Sequence, residues 1–282
     1  MDYALPWILL RFGRSAPCQD VRWKPLLHAA LATPYYANHP SRASIEMCLK
    51  SAPRAVLSRV APLALREFYQ KVHEFHNPAA PLPTPRTIEA PWAGSSRVVA
   101  VQAWFPLDSR IVHMSHFAPD QLTAASPESI AAPVAILRQL AAMAIETGFR
   151  LPSLRHGILA LISVGRPCLT QADRDLFWHA FQVPVYEQFR GFHGELLAME
   201  CARHQGLHVQ PDSAVFETEG ADLLLTSLAN LRYPTLRLAT GISGILDPAT
   251  CPCGLSTPRL RHLALAARAT LVPDVMMATR AS

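Results

Sequence analysis

Charge is scarce in this chain. Only 17% of its 282 residues are Asp, Glu, Lys or Arg, and no run of Lys or Arg occurs. Basic and aromatic residues are not interleaved either, so the net charge of +5 reads as an Arg-rich solvated surface, not a nucleic-acid footprint. No apolar run reaches the roughly 18–20 residues that a membrane-spanning helix needs. The order of a secretory leader is missing too. Asp2 precedes the apolar run of "MDYALPWILLRFGRS" and the basic residues follow it, which suits an interfacial or partner-facing segment at most. Six unevenly spaced cysteines make no disulfide framework, and the expectation is a cytoplasmic chain with free thiols or metal ligands. There is no internal repeat and no G-x-S-x-G elbow. "AGSSR" at 93–97 lacks the repeated glycines and the lysine of a phosphate cradle.

What the chain does have is apolar mass. Half of it is hydrophobic, enough for one large domain or two small ones. Apolar residues recur at three and four through "WKPLLHAALATPYY", "SIEMCLKSA" and "PLALREFYQKVHEF", predicting a helical segment over 1–76. Residues 77–96 hold five prolines, at 78, 81, 83, 85 and 91, and read as an extended linker. The rest, 97–282, is the expected core domain. "RVVAVQAWF" reads as a strand. A long helix is expected from Ser126, capped there, kinked at Pro133 and ended at Gly148. "GILALISV" is a strand-length run suited to burial on both faces. Thr170 and Asp173 make a capping box for "QADRDLFWHAFQ", and "VPVYEQF" returns as a strand. The sum is a β–α–β unit with a parallel pair. From Val215 onward the chain is strand-rich, and "TLRLATGISGIL" is expected to turn at Gly241.

Two groups could carry chemistry. Cys251 and Cys253 in "CPCG", with Cys201, His204 and His208 in "ECARHQGLH", have the soft donors of a closed, structural zinc site. Unrelated surface cysteines and histidines are the competing account. His193 stands beside Glu195 in a glycine-flanked loop, the right chemistry for acid–base work, although a solvated loop histidine has the same signature. Cys18, Cys48 and Cys168 read as idle thiols, and His113 and His116 as polar loop residues.

Taken in order, "ILALISVGRPCLT", "VYEQFRGFHGELLAMECARHQGLHV", "LLLTSLANLRYPTLRLATGIS" and "CPCGLSTPRL" resemble the phenylacetate–CoA ligase branch of the adenylate-forming (AMP-binding) ligases. The resemblance spans roughly 155–260 and extends weakly to "LLHAALATPYY". It implies an α/β fold: an adenylating-ligase core with a helical N-terminal part and a strand-rich, zinc-stapled C-terminal part. The chain stops where that family continues into a small lid domain with a catalytic lysine. The family binds ATP, adenylates a carboxylate and passes it to a thiol. Its adenine-side turn falls on Gly165 and Pro167 of "VGRP". Its Tyr-Gly-x-Thr-Glu loop falls on Phe189, Arg190, Gly191, Phe192 and His193, so the phosphate and magnesium groups are replaced. Its Arg-Tyr-x-Thr-Gly-Asp stretch falls on Arg237, Leu238, Ala239, Thr240, Gly241 and Ile242, so the ribose acid has become isoleucine. A zinc quartet found in part of the family maps onto Cys201, His208, Cys251 and Cys253.

The leading expectation is therefore a degenerate, truncated ligase-like pseudoenzyme that keeps zinc and has lost ATP and magnesium. It would bind an aryl or acyl carboxylate, a thioester, a carrier protein or another protein partner. The first alternative is an active compact acyl- or aryl-CoA (or acyl-carrier) ligase completed by a partner, with Arg190, His193 and Arg237 serving phosphate. The second is an enzyme without ATP, in which His193 does acid–base work on a thioester.

Overall fold

A computed structural model describes residues 17–92 and 96–266. The leading segment, the C-terminal stretch after Ala266 and most of "AGSSR" lie outside them. The described chain opens with short helices: α1 (Pro17–Leu31), α2 (Pro34–Ala37), α3 (Arg42–Lys50), α4 (Val56–Arg59) and α5 (Leu65–Gln70). Among the described residues, no helix is long and apolar enough to cross a membrane. Then come β1 (Val98–Val101), β2 (Val112–Met114), α6 (Pro119–Ala125), β3 (Ser129–Pro133), α7 (Val134–Thr147), β4 (Gly157–Ile162), α8 (Gln171–Phe181) and β5 (Val185–Arg190). The remainder is β6 (Leu196–Glu200), β7 (Leu207–Val209), β8 (Ala214–Glu219), β9 (Asp222–Ser227), β10 (Leu238–Asp247) and β11 (Arg259–Leu265).

All eleven strands share one sheet, in the order β2-β1-β3-β4-β5-β6-β7-β11-β10-β9-β8. The first five pair in parallel and every later pairing is antiparallel. The expected β–α–β unit is β4–α8–β5. Every residue of β4 is buried, as a central strand covered on both faces requires. Thr170 Oγ1 accepts from the Asp173 N–H while the Asp173 carboxylate takes the Thr170 N–H, so the capping box starts α8 as predicted.

Two local expectations are corrected. The long helix from Ser126 does not form: Ser126 is left-handed at the end of α6, and residues 129–133 become β3. Ile130, Ala131 and Ala132 are fully buried between β1 and β4, and that burial outweighs helical periodicity. Pro133 does not kink a helix; it is the N-cap residue from which α7 starts. Nor does the chain reverse at Gly241. β10 runs straight through it, and Gly241 (φ +69°) marks a slip in register against β9 between Ala239 and Ser243. Glycine suits this bulge because its backbone is left-handed there.

The helices dock on the strand-rich half. Leu63 N–H donates to Arg237 O at 3.0 Å, Ala239 N–H to Leu63 O at 2.9 Å, and Leu236 N–H to the Tyr36 hydroxyl at 3.0 Å. Trp23, Tyr36, Phe68, Phe189 and Leu238 all belong to one buried cluster. The proline-rich stretch is pinned rather than loose. Arg190, 1% exposed, pairs with the Glu89 carboxylate and donates to Thr87 O and Gly194 O.

Candidate metal centre and the carboxyl edge of the sheet

Cys201 follows β6 directly, His208 is the middle residue of β7, and Cys251 and Cys253 sit in the turn from β10 to β11. The pairing of β6 with β7 and of β7 with β11 brings the three elements together, His208 lying opposite Arg259. Left-handed Gly254 (φ +89°) donates its N–H to Cys251 O, and the Cys251 N–H donates to Leu255 O, which folds "CPCG" into a tight turn. One donor atom from each of the four residues lies within 4.8 Å of every other, and all four residues are buried. The Cys201 and Cys251 sulfurs are 3.9 Å apart, and Cys253 Sγ is 3.4 Å from His208 Nε2. His208 Nδ1 meets the Thr257 hydroxyl at 3.1 Å, so the imidazole is oriented with Nε2 toward the sulfurs.

Burial dominates the protonation of this group. It pushes the Cys201 thiol up to about 12 and raises Cys253. It also lowers His208 to about 4, with Arg259 adding to the effect, so the imidazole is neutral and its lone pair available. At Cys251 burial opposes the thiolate, but hydrogen bonds from the Cys253 backbone and neighbouring sulfurs outweigh it and lower the thiol. Three thiols and an imidazole gathered in one buried group are a donor set that can hold a metal ion. His204, the other imidazole of the stretch, turns away to Glu200 at 3.2 Å and stacks on Tyr186.

The other sequence-selected residues collect where parallel strands end. Ligands of open α/β sheets sit outside the carboxyl ends of such strands. Gly165 follows β4, and its N–H donates to Thr240 O at 2.7 Å, joining the "VGRP" turn to the bulge of β10. Pro167 is half-buried in the same turn. Thr240 Oγ1 donates to Leu223 O at 2.9 Å and accepts the Ile242 N–H at 3.1 Å. Ile242 is fully buried in the main core. Arg237 (φ +53°) spends its guanidinium on Glu217 at 3.2 Å and Val60 O at 2.8 Å, tying the helical layer to the sheet. A Cβ at Gly191 would stand 2.3 Å from Glu195 Oε2, so that carboxylate would have to shift.

After β5 the chain points two neighbours different ways. Phe192 stacks on Phe68 with centroids 4.8 Å apart and meets Tyr69 edge-on. His193 packs against Tyr233 with centroids 5.3 Å apart. His193 Nδ1 lies 3.8 Å from Glu195 Oε1, while Glu195 Oε2 accepts the His193 backbone N–H at 3.0 Å. Burial lowers the His193 imidazole below its ordinary value, with Glu195 opposing. His113 and His116 are exposed, and Cys48 and Cys168 are buried free thiols. The side chain of Cys18 lies outside the described set.

No protein-family model matches the chain, and no curated protein matches it by sequence. Solved structures do. A 2-hydroxyisobutyryl-CoA ligase in complex with 2-HIB-AMP and CoA, in the thioesterification state, superposes with a TM-score of 0.65 at 16% identity, covering 90% of this chain and 69% of the ligase. An open conformation of that ligase gives 0.61 at 13% identity, with 86% and 67% covered. Its postadenylation state with 2-HIB-AMP gives 0.62 at 14% identity, with 86% and 65% covered. The chain has a mixed α/β fold that resembles the core of these CoA ligases. It spans about two thirds of the length of these ligases, 65–69%. Within the ligase fold, the motif-matched residues stand at the carboxyl edge, and their polar groups are largely turned onto the protein itself. Sequence reasoning passed over Arg86, whose Nε donates to His193 O at 3.3 Å, and Tyr233, whose ring packs against the His193 imidazole. Arg86 lies outside the quoted stretches, and Tyr233 lies within "LLLTSLANLRYPTLRLATGIS" but at none of its residue-by-residue matches; only the polar "NLRY" between apolar strands could have flagged it.

Proposed function

We propose that this chain is a degenerate member of the phenylacetate–CoA ligase branch that does not adenylate by itself and binds an aryl or acyl group, free, as a thioester or on a carrier or other partner. The observation that carries the reading is Ile242. Where the resemblance puts a ribose-binding carboxylate, an isoleucine is buried in the core, and the adjacent Thr240 hydroxyl is spent on backbone groups. Arg190 and Arg237, the cations that could have met phosphate, are held in ion pairs with Glu89 and Glu217. Ribose hydroxyls set against isoleucine would lose an acceptor, costing roughly 1–3 kcal/mol of binding. The edge suits an apolar acyl body better: Trp104, Tyr69 and Phe192 lie around Gly191, and the Tyr69 and Ser163 hydroxyls are buried without a hydrogen-bond partner among the described residues.

In this reading Cys201, His208, Cys251 and Cys253 hold zinc as a structural staple. Zinc–sulfur bonds of about 2.3 Å in a tetrahedron set sulfur–sulfur edges near 3.8 Å, and the observed 3.9 Å between Cys201 and Cys251 fits. With all four positions taken by protein, the ion would supply fold stability and no open coordination site.

The test is a thermal-shift titration with magnesium-ATP. Ligand at a hundred times its dissociation constant stabilises a fold by about 2.7 kcal/mol. The expectation is no shift at millimolar ATP. A saturable shift would overturn the reading and favour the compact ligase completed by a partner, for which the fold shared with a ligase solved with 2-HIB-AMP and CoA speaks. The acid–base reading of His193 gains least, because its nearest carboxylate oxygen is 3.8 Å away.

A further inference from the structure

The helical layer holds the whole charge surplus of the chain. Residues 17–71 contain eight Lys or Arg against Asp20, Glu46 and Glu67, a net +5 that equals the +5 of all 282 residues, so the rest of the chain is balanced. Of these cations, Arg42 and Lys71 are in ion pairs, with Glu46 and Glu67. Among the described residues, Arg22, Lys24, Lys50, Arg54 and Arg59 pair with no carboxylate, and all five are exposed.

The five belong to one compact unit. α1, α3, α4 and the short turn Pro53–Ala55 pack on one another. Their inward side chains, Trp23, Leu26, Leu27, Ile45, Cys48 and Val56, are buried in the main cluster, which leaves the cations on the outer surface. Two apolar side chains are exposed on the same elements, Val21 at 69% and Met47 at 45%. Arg59 Nη1 reaches Met47 Sδ at 3.8 Å, so guanidinium and thioether are direct neighbours. The sequence leading into α1 has the same character: Trp7, Ile8, Leu9, Leu10 and Phe12 stand with Arg11 and Arg14. The ligase resemblance uses none of these residues.

Unpaired cations interspersed with exposed apolar side chains complement an anionic lipid surface, where the cations meet head groups and the apolar side chains enter the acyl boundary. A nucleic acid fits less well, because single strands need aromatic platforms and Trp23, Tyr35 and Tyr36 are buried. We propose that the outer face of α1, α3 and α4 docks the chain peripherally on an anionic membrane surface. This goes beyond the scaffold reading and stands whichever way the ATP titration falls, because no motif position takes part.

The experiment is co-sedimentation of the full chain with vesicles of three parts phosphatidylcholine to one part phosphatidylglycerol, beside vesicles of phosphatidylcholine alone. The expected result is pelleting with the anionic vesicles only, declining as salt is added because exposed charges are screened. Arg22→Gln with Arg54→Gln should weaken binding by roughly twenty-five-fold, about fivefold per cation. Arg110→Gln with Arg155→Gln removes the same charge from the sheet half, where these arginines already pair with Asp108 and Glu128, and should leave binding nearly unchanged. Should the first pair of substitutions fail to fold, Lys24→Gln with Arg59→Gln carries the same expectation. Equal pelleting with both kinds of vesicle, equal losses in the two kinds of variant, or capture of poly-glutamate or a duplex oligonucleotide in place of the anionic vesicles would overturn the proposal.

Discussion

Placing an acid at position 242, where the resemblance expects one, separates a core position from a hidden nucleotide site. Ile242 is 0% exposed and lies in the main hydrophobic cluster. Ile242→Asp removes a buried aliphatic side chain, worth about 1.5–3 kcal/mol. It also leaves a buried charge without a partner, about 3–5 kcal/mol by analogy with a broken buried pair. Arg237 cannot help, being engaged with Glu217 and Val60 O. The sum, roughly 5–8 kcal/mol, rivals the 5–15 kcal/mol total stability of a typical fold. At about 2–4 °C per kcal/mol for a chain of this size, Tm should fall by 10 °C or more, further as pH rises and the carboxyl ionises. Ile242→Ala is the size control, expected to cost about 2–5 kcal/mol from the cavity alone and independently of pH. Thermal unfolding of both variants at several pH values, with and without magnesium-ATP, is the assay. An Ile242→Asp protein that melts like the wild type and is stabilised by ATP would refute the reasoning, because position 242 would then face an open ribose site.

Two further outcomes follow from buried groups. Purified protein should contain one equivalent of zinc by elemental analysis; a strong chelator or Cys253→Ser should lower Tm and release it, and a chain that stays metal-free and equally stable after zinc is supplied would exclude the staple. Burial pushes the Glu187 carboxyl up to about 7 from its ordinary 4.5, with the Leu169 N–H opposing and Glu200 adding to the rise. A raised folded-state acid holds its proton in the native chain, so stability is fully present below about 4.5 and is lost as pH climbs through 7. The loss is roughly 3 kcal/mol, so Glu187→Gln, which keeps an acceptor for Leu169, should stabilise the protein at pH 8 and do nothing at pH 4; urea titrations at both values check this.

The β4–α8–β5 unit was legible because its signals are local: a continuous apolar run, a Thr170–Asp173 box and a second apolar run. The gathering of Cys201, His208, Cys251 and Cys253 was nearly as legible, since three thiols and an imidazole are rare donors and two of them share one turn. Residues 126–133 were misread for the opposite reason. Ser126-Pro127-Glu128 resembles a helix start, and only burial of Ile130–Ala132 between two strands made it a strand. Gly241 was recognised as special but not as a bulge, because a bulge is defined by the register of its partner strand.

By itself, then, the sequence determined which residues were chemically unusual: the soft donors, the isoleucine where the resemblance expects an acid, the histidine beside a glutamate. Whether Arg190 and Arg237 were free for phosphate depended on Glu89 and Glu217, 101 and 20 positions away along the chain. Likewise, Arg86 sits 107 residues from His193 and carried no sign of its destination. Ion pairing and desolvation act through space with a reach of a few ångströms, so only the tertiary structure could decide which charges are spent and which remain.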